Sequence, residues 1–67
     1  MAAYLTTREL AERFRAPEAT VRWWRHRGYG PPAIKVGRRR LYPLADVEAW
    51  EARLRAEAQR ERDPAAA

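Results

Sequence analysis

The stretch Thr20–Tyr42, TVRWWRHRGYGPPAIKVGRRRLY, decides how this chain is organised. It contains no acidic residue, and two tryptophans lie among its charges. Its basic residues are Arg22, Arg25, Arg27, Lys35, Arg38, Arg39 and Arg40. The first half is typical of a short helix that ends at Gly28, and the second half of a β-hairpin that turns at Gly37. A basic helix followed by a basic hairpin predicts two elements that bind one polyanion.

The composition indicates one small domain without covalent or metal crosslinks. A chain of 67 residues buries only about 60% of the surface that it exposes when unfolded, so its stability is limited. Because the chain has no cysteine and one histidine, we expect no disulfide, no metal site and no cofactor. The sequence shows neither a signal peptide nor a long apolar run, and we therefore expect a cytoplasmic protein.

The net charge of +5 is unevenly distributed along the chain. Residues 1–42 contain ten Lys or Arg and three Glu, a net of +7. Residues 43–67 contain four Arg and six Asp or Glu, a net of −2. A strongly basic segment joined to a mildly acidic one predicts that one face of the domain meets an anion.

The N-terminal half predicts two helices joined by a short turn. Thr6 fits the N-cap position and Glu9 the third helical position, which together make a capping box, and this first helix continues to about Phe14. Pro17 interrupts the pattern, and a second helix spans roughly residues 18–27 before Gly28 ends it. Two helices with a turn of about three residues form a helix-turn-helix.

The two adjacent tryptophans are assigned to different faces of the second helix. At about 100° per residue, Val21 and Trp24 share one side, which we expect to be buried. The outward side carries the residues that could contact a ligand: Ala19, Arg22, Trp23 and His26. An exposed Trp23 is costly in water, so its position favours a surface that is covered when a partner binds.

The C-terminal half predicts a hairpin followed by one long helix. Ile34, Val36 and Tyr42 are the apolar residues that we expect to hold the hairpin onto the helices. The third helix should run from about Leu44 to residues 59–61, with an amphipathic stripe that packs against the first helix and the hairpin. We expect one domain over residues 1–62 and a frayed tail over residues 63–67.

The residues argue against catalysis. The chain contains no Ser, Cys or Asn, so a Ser or Cys nucleophile is excluded, and we expect a protein that is not an enzyme.

The basic helix could also be an ordinary solvated face. However, such a face normally mixes charges of both signs, and the sequence has no acid between Glu18 and Asp46. The pattern therefore favours a nucleic-acid surface.

Three segments together resemble the excisionase/MerR-like winged helix-turn-helix family: YLTTRELAERF, ATVRWWRHRG and KVGRRRLYPLADVEAW. The resemblance covers about residues 4–55 and implies a mostly α fold with a two-stranded β-hairpin as the wing. It implies that a recognition helix and the wing bind DNA through Ala19, Thr20, Arg22, Trp23, His26, Lys35, Arg38, Arg39 and Arg40. Two positions depart from the pattern, since Arg15 stands where glycine is common and Pro17 where a capping side chain is usual.

The family includes small phage and plasmid excisionases and short actinobacterial developmental regulators. The resemblance implies an excisionase that binds double-stranded DNA cooperatively on direct repeats, by head-to-tail self-association, and bends it for an integrase. A small transcriptional regulator of the same fold is one alternative. A basic module that binds an acidic protein is another.

Overall fold

The computed structural model describes residues 3–62 and confirms a mostly helical, winged helix-turn-helix architecture. Its elements in chain order are β1 (Tyr4–Thr6), α1 (Thr7–Phe14), α2 (Glu18–His26), β2 (Ile34–Val36), β3 (Arg39–Pro43) and α3 (Leu44–Arg62). The tail predicted over residues 63–67 lies outside the described residues.

The first helix begins at the predicted capping box. The Glu9 backbone N–H donates to the Thr6 hydroxyl at 3.1 Å. In return, the Thr6 backbone N–H donates to the Glu9 carboxylate at 2.9 Å. Two of the backbone donors that every helix start leaves unpaired are thereby satisfied, which fixes where α1 begins.

The turn between the helices is built by the backbone at Arg15. Arg15 adopts the left-handed conformation, with φ of 53°, which explains why glycine is common at this position. The backbone N–H groups of Arg15 and Ala16 donate to the carbonyls of Glu12 at 3.1 Å and Ala11 at 2.9 Å. Pro17 then precedes α2 and gives it no side-chain cap, as the sequence predicted.

The second helix ends in a Schellman motif at the predicted glycine. Gly28 has φ of 74°, and its N–H donates to the Arg25 carbonyl at 3.1 Å. The Tyr29 N–H donates to the Trp24 carbonyl at 2.7 Å. This pair of bonds satisfies the last carbonyls of α2 and turns the chain sharply toward the wing.

The sheet has three strands, not the two that the sequence predicted. β3 is central and pairs antiparallel with β1 on one side and β2 on the other. The sequence indicated no strand before the first helix, but Tyr4 pairs with Pro43 and Leu5 with Tyr42 in this sheet. A strand of three residues is too short to show a period of two, and its partner lies far along the chain.

The wing is held to the helices through β3 and not through β2. Tyr42 is 2% exposed and lies in the core with buried residues of the helices: Leu10, Ala11, Val21 and Val47. Ile34 and Val36 are 42% and 51% exposed, so the prediction that they hold the hairpin was wrong. The sheet register explains this exposure. Lys35 pairs with Arg40, and Arg40 lies on the sheet face that carries Tyr42. Ile34 and Val36, which flank Lys35 in β2, therefore lie on the other face.

Four aromatic rings join the three helices. Trp24 lies 6.2 Å from Phe14, 5.8 Å from Tyr29 and 6.0 Å from Trp50, measured between ring centroids. Trp50 in turn lies 5.4 Å from Phe14 and 5.5 Å from Tyr29. Most of these contacts are edge-to-face, the arrangement that aromatic quadrupoles favour. The cluster confirms the inward position of Trp24, while Trp23 is 55% exposed as predicted.

A two-bond ion pair fastens α3 to α1. The Arg13 Nε and Nη2 atoms donate to the two carboxylate oxygens of Glu51 at 2.9 and 2.8 Å. The hydrogen bond from Arg13 lowers the pKa of Glu51 below its ordinary value, and partial burial opposes this shift. A pairing of this geometry restricts how α3 rotates against α1.

We predict that Trp24→Ala destabilises the fold, because it removes a ring that contacts the other three of the cluster. For a half-buried tryptophan we expect a loss of about 3 kcal/mol in the free energy of unfolding, measured by urea denaturation. The control Trp23→Ala removes an exposed ring and should cost less than about 1 kcal/mol. Equal losses for both variants would show that the assignment of the two faces is wrong.

We predict that the stability contribution of Glu51 depends on pH. Since its pKa is lowered in the folded state, its contribution is present above the ordinary glutamate pKa of about 4.3 and is lost as the pH falls through the folded value. Glu51→Gln should therefore lower Tm at pH 7 and lower it less at pH 3. Glu61→Gln, an exposed carboxylate near the end of α3, is the control. A Glu51→Gln loss that is equal at both pH values would assign the effect to packing instead.

Candidate nucleic-acid interface

The predicted contact residues lie on two elements, α2 and the wing formed by β2 and β3. On α2, Thr20 is half-buried and the others are exposed: Ala19, Arg22, Trp23 and His26. On the wing all four predicted residues are exposed: Lys35, Arg38, Arg39 and Arg40. The structure thus leaves nearly the whole predicted set accessible to a ligand.

The orientation of α2 follows from the residues that it buries. Val21 is 1% exposed and lies in the core, and Trp24 enters the aromatic cluster. With these two side chains directed inward, the helical period directs Arg22 and His26 outward on one flank of α2. This flank faces the wing, because both residues line a cleft with Arg40 of β3.

That cleft, here called the basic cleft, is lined by Arg22, Arg25, His26 and Arg40. No carboxylate belongs to its lining, and three guanidinium groups offer donors in the planar arrangement that binds phosphate oxygens. The basic cleft is therefore suited to an anion shared between α2 and the wing. It brings together three of the predicted contact residues, two from the helix and one from the hairpin.

Arg25 belongs to the basic cleft although the sequence did not predict it as a contact residue. The helical wheel places Arg25 about 40° from Val21 and so toward the inside of the domain. Its side chain is half-buried, and its Nη1 donates to the Thr7 hydroxyl at 3.4 Å. Arg25 thus connects α2 to the first turn of α1 and supplies positive charge at the base of the cleft.

The sheet register separates the three wing arginines. Arg38 lies in the two-residue turn that Gly37, with φ of 63°, makes possible between β2 and β3. Arg40 pairs with Lys35 on the face toward the helices, whereas Arg39 pairs with Val36 on the opposite face. The three arginines therefore present charge at the tip and on both faces of the wing.

A second cleft beside the wing has mixed charge. Arg39 and Arg40 line it together with Thr6, Thr7, Arg8 and Glu18. Arg8 is also paired with Glu12, since its Nε lies 3.3 Å from the Glu12 carboxylate. The start of α2 thus brings a carboxylate close to the wing, so positive charge concentrates in the basic cleft and at the wing tip.

Trp23 lies on the other flank of α2, away from the wing. The Arg27 guanidinium carbon lies 4.6 Å from the centroid of the Trp23 ring, a cation–π contact between residues one helical turn apart. Sequence analysis did not select Arg27, although its spacing of four residues from Trp23 is the signal that could have found it. The pair places an aromatic ring and a positive charge together beside the outward face of α2.

Comparisons with known proteins identify one family. The model of a family described as helix-turn-helix domain matches residues 4–55. That range begins in β1, ends within α3 and includes every residue of the predicted interface. Searches of curated proteins and of solved structures found no match.

Within residues 3–62, no helix combines the length and the hydrophobicity that crossing a lipid bilayer requires.

Proposed function

The chain belongs to the helix-turn-helix domain family, and on that premise we propose that it acts as an excisionase. Its partner is DNA, which it binds in a sequence-specific manner. The proposal adds that it binds direct repeats in double-stranded DNA and shapes that DNA for an integrase. In this role the chain catalyses no reaction itself, since the integrase performs the strand exchange. We place its action in the cytoplasm, at the nucleoid.

The observation that carries the DNA-binding mechanism is the basic cleft between α2 and the wing. A cleft lined by Arg22, Arg25, His26 and Arg40 can hold a backbone phosphate between the two elements. The phosphate would fix the register of the domain on the duplex without reading its sequence. With this anchor, the outward face of α2 lies in the major groove and the wing reaches the adjacent minor groove.

The sequence-reading contacts are assigned to the outward face of α2. In this arrangement the phosphate is held by Arg25, His26 and Arg40 of the cleft. Arg22, which is exposed, can then donate two hydrogen bonds to one guanine, worth about 1–3 kcal/mol of discrimination. Ala19 and Thr20, one turn earlier, would approach the base edges. The exposed ring of Trp23 would lie against sugar and phosphate or a thymine methyl group.

The wing supplies the second set of contacts. Arg38 at the tip, with Arg39 beside it, would enter the minor groove, where narrow A·T segments strengthen the negative potential. Lys35 and Arg40 pair on the face toward the helices and would contact phosphates on the cleft side. These basic residues make affinity strongly dependent on salt, because each neutralised phosphate releases bound cations.

Cooperative binding follows from the small reading surface. One recognition helix and one wing contact a short site, which limits the affinity of a single copy. Copies bound head to tail on direct repeats would gain affinity from each other and impose a bend on the DNA. Such a nucleoprotein complex is what an integrase would recognise during excision.

We predict that Arg38→Ala/Arg39→Ala weakens binding and flattens its dependence on salt. If each arginine neutralises one phosphate, the slope of log affinity against log salt should fall by about 1.8, measured by fluorescence anisotropy on a duplex selected from a random pool. Arg60→Ala/Arg62→Ala removes the same charge at the far end of α3 and is the control. An unchanged slope in the wing variant would remove the wing from the mechanism.

We predict that the chain directs recombination in the excisive direction. A plasmid carrying the two hybrid attachment sites of a candidate integrase from the same genome is incubated with that integrase. Adding the chain should raise the yield of excision and lower that of integration. If recombination is unaffected while transcription from a promoter beside the selected site changes, the chain is a regulator of the same fold and not an excisionase.

A further inference from the structure

We propose that His26 binds DNA as an imidazolium cation, so that the basic cleft takes up a proton when it binds a backbone phosphate. Affinity for DNA then rises as the pH falls. The inference rests on the proposed function, because its ligand is the phosphate that the cleft holds. It adds a dependence of DNA occupancy on pH that the arginines cannot confer, since guanidinium groups keep their charge near neutral pH.

His26 is the last residue of α2 and lines the basic cleft. Its side chain is exposed. Among the residues 3–62 that the structure describes, no side-chain hydrogen bond or ion pair engages the imidazole. Both ring nitrogens are therefore available to a ligand that enters the cleft between α2 and the wing.

The charged side chains that face the ring are all cationic. Arg22 and Arg25 come from α2, and Arg40 comes from the wing. Lys35 pairs with Arg40 on the same face of the sheet and adds a further positive charge beside the cleft. Within the lining of this cleft, His26 is the one basic side chain that can lose its charge near neutral pH.

No carboxylate of the described residues lines the basic cleft to stabilise a charged imidazole. From α1, the Thr7 hydroxyl accepts a hydrogen bond from Arg25 at 3.4 Å, and it carries no charge. Glu18 of α2 lines the neighbouring cleft and lies about two helical turns before His26. The negative charge that favours an imidazolium here is therefore supplied by the ligand.

A phosphate in the cleft binds the charged ring better than the neutral one. A neutral imidazole has one N–H donor, and its second nitrogen presents a lone pair that cannot donate to a phosphate oxygen. The imidazolium donates from both nitrogens, and its hydrogen bonds are strengthened by charge. A bound phosphate therefore favours the protonated form of His26, both as a hydrogen-bond acceptor and as a nearby opposite charge.

The direction of the pH effect follows from this proton uptake. Because the complex binds more protons than the free chain, a higher proton concentration shifts the equilibrium toward the complex. The gain in affinity is complete at a pH where the ring is already charged in the free chain. It is lost as the pH rises and the ring in the complex also gives up its proton.

The composition assigns any such effect to one side chain. The chain has one histidine and no cysteine, and histidine is the side chain whose ordinary titration changes its charge between about pH 5 and 8. A pH dependence that requires residue 26 therefore comes from a single ring. The same fact gives one histidine signal in an NMR spectrum, so its protonation can be followed directly.

The first test measures affinity at pH 6, 7 and 8 for a duplex that the chain selects from a random pool at pH 7. Ionic strength is held constant, and binding is followed by fluorescence anisotropy. Wild type should bind about fivefold more tightly at pH 6 than at pH 8, the gain expected if the phosphate moves the titration of the ring by about one pH unit. The slope of log affinity against log salt should be steeper at pH 6 by up to about 0.9, because one more cation is displaced.

Two substitutions fix the charge at this position. His26→Gln has no charge between pH 6 and 8, and His26→Lys keeps its charge across that range. The affinity of each should be independent of pH, and His26→Lys should bind more tightly than His26→Gln at pH 8. The control His26→Gln/Gln59→His moves the histidine to an exposed position near the end of α3 and should also bind independently of pH.

The second test needs no variant and therefore does not depend on how a substitution affects folding. The chemical shift of the His26 ring protons is followed against pH in the wild-type chain, with and without the selected duplex. In the complex the ring should keep its proton to a pH about one unit higher than in the free chain, as the fivefold gain in affinity requires.

The outcomes separate this inference from the proposed function. Equal wild-type affinity at pH 6 and 8, a pH dependence that persists in His26→Gln, or a ring that titrates at the same pH with and without DNA overturns the inference and leaves DNA binding intact. A pH dependence restored by Gln59→His assigns the effect to net charge and also overturns it. A wild-type chain that selects no duplex overturns the DNA-binding mechanism and the inference with it.

Discussion

The structure depends on the aromatic cluster around Trp24, because neither α1 nor α2 is stable alone. α1 and α2 have eight and nine residues, which is too short for an isolated helix in water, and α2 lacks a side-chain N-cap. The ring of Trp24 contacts Phe14, Tyr29 and Trp50 and so joins both helices to α3. Burial of large rings in edge-to-face contact supplies what a small apolar core cannot.

The cluster also determines how α2 is presented to a ligand. With Val21 and Trp24 directed inward, the rest of the helix divides into a flank with Arg22 and His26 and a flank with Trp23 and Arg27. The wing is positioned independently, through Tyr42 in the core. Val21 of α2 and Tyr42 of β3 pack in the same hydrophobic core. Because that core holds both elements, Arg22 and Arg40 line one cleft although they belong to separate elements.

The arginines of the basic stretch differ in their roles, and their contacts distinguish them. Arg25 donates to Thr7 and supports the base of the cleft, and Arg27 covers the ring of Trp23. Arg38 projects from the wing tip, while Arg39 and Arg40 lie on opposite faces of the sheet. Outside this stretch, Arg13 is engaged by Glu51. Net charge attracts the domain to a polyanion, but the contacts decide which guanidinium groups are available to it.

The sequence by itself determined the features that neighbouring residues control. These are the capping box of Thr6 and Glu9, the helix end at Gly28, and the placement of Trp23 and Trp24 on different faces of α2. These follow from local hydrogen bonds and the helical period. Only the tertiary structure decided that Tyr4–Thr6 forms a strand, that Ile34 and Val36 are exposed, and that Arg25 lines the basic cleft. Each of these depends on a register or contact between residues distant in sequence, such as Leu5 with Tyr42, which no local pattern specifies.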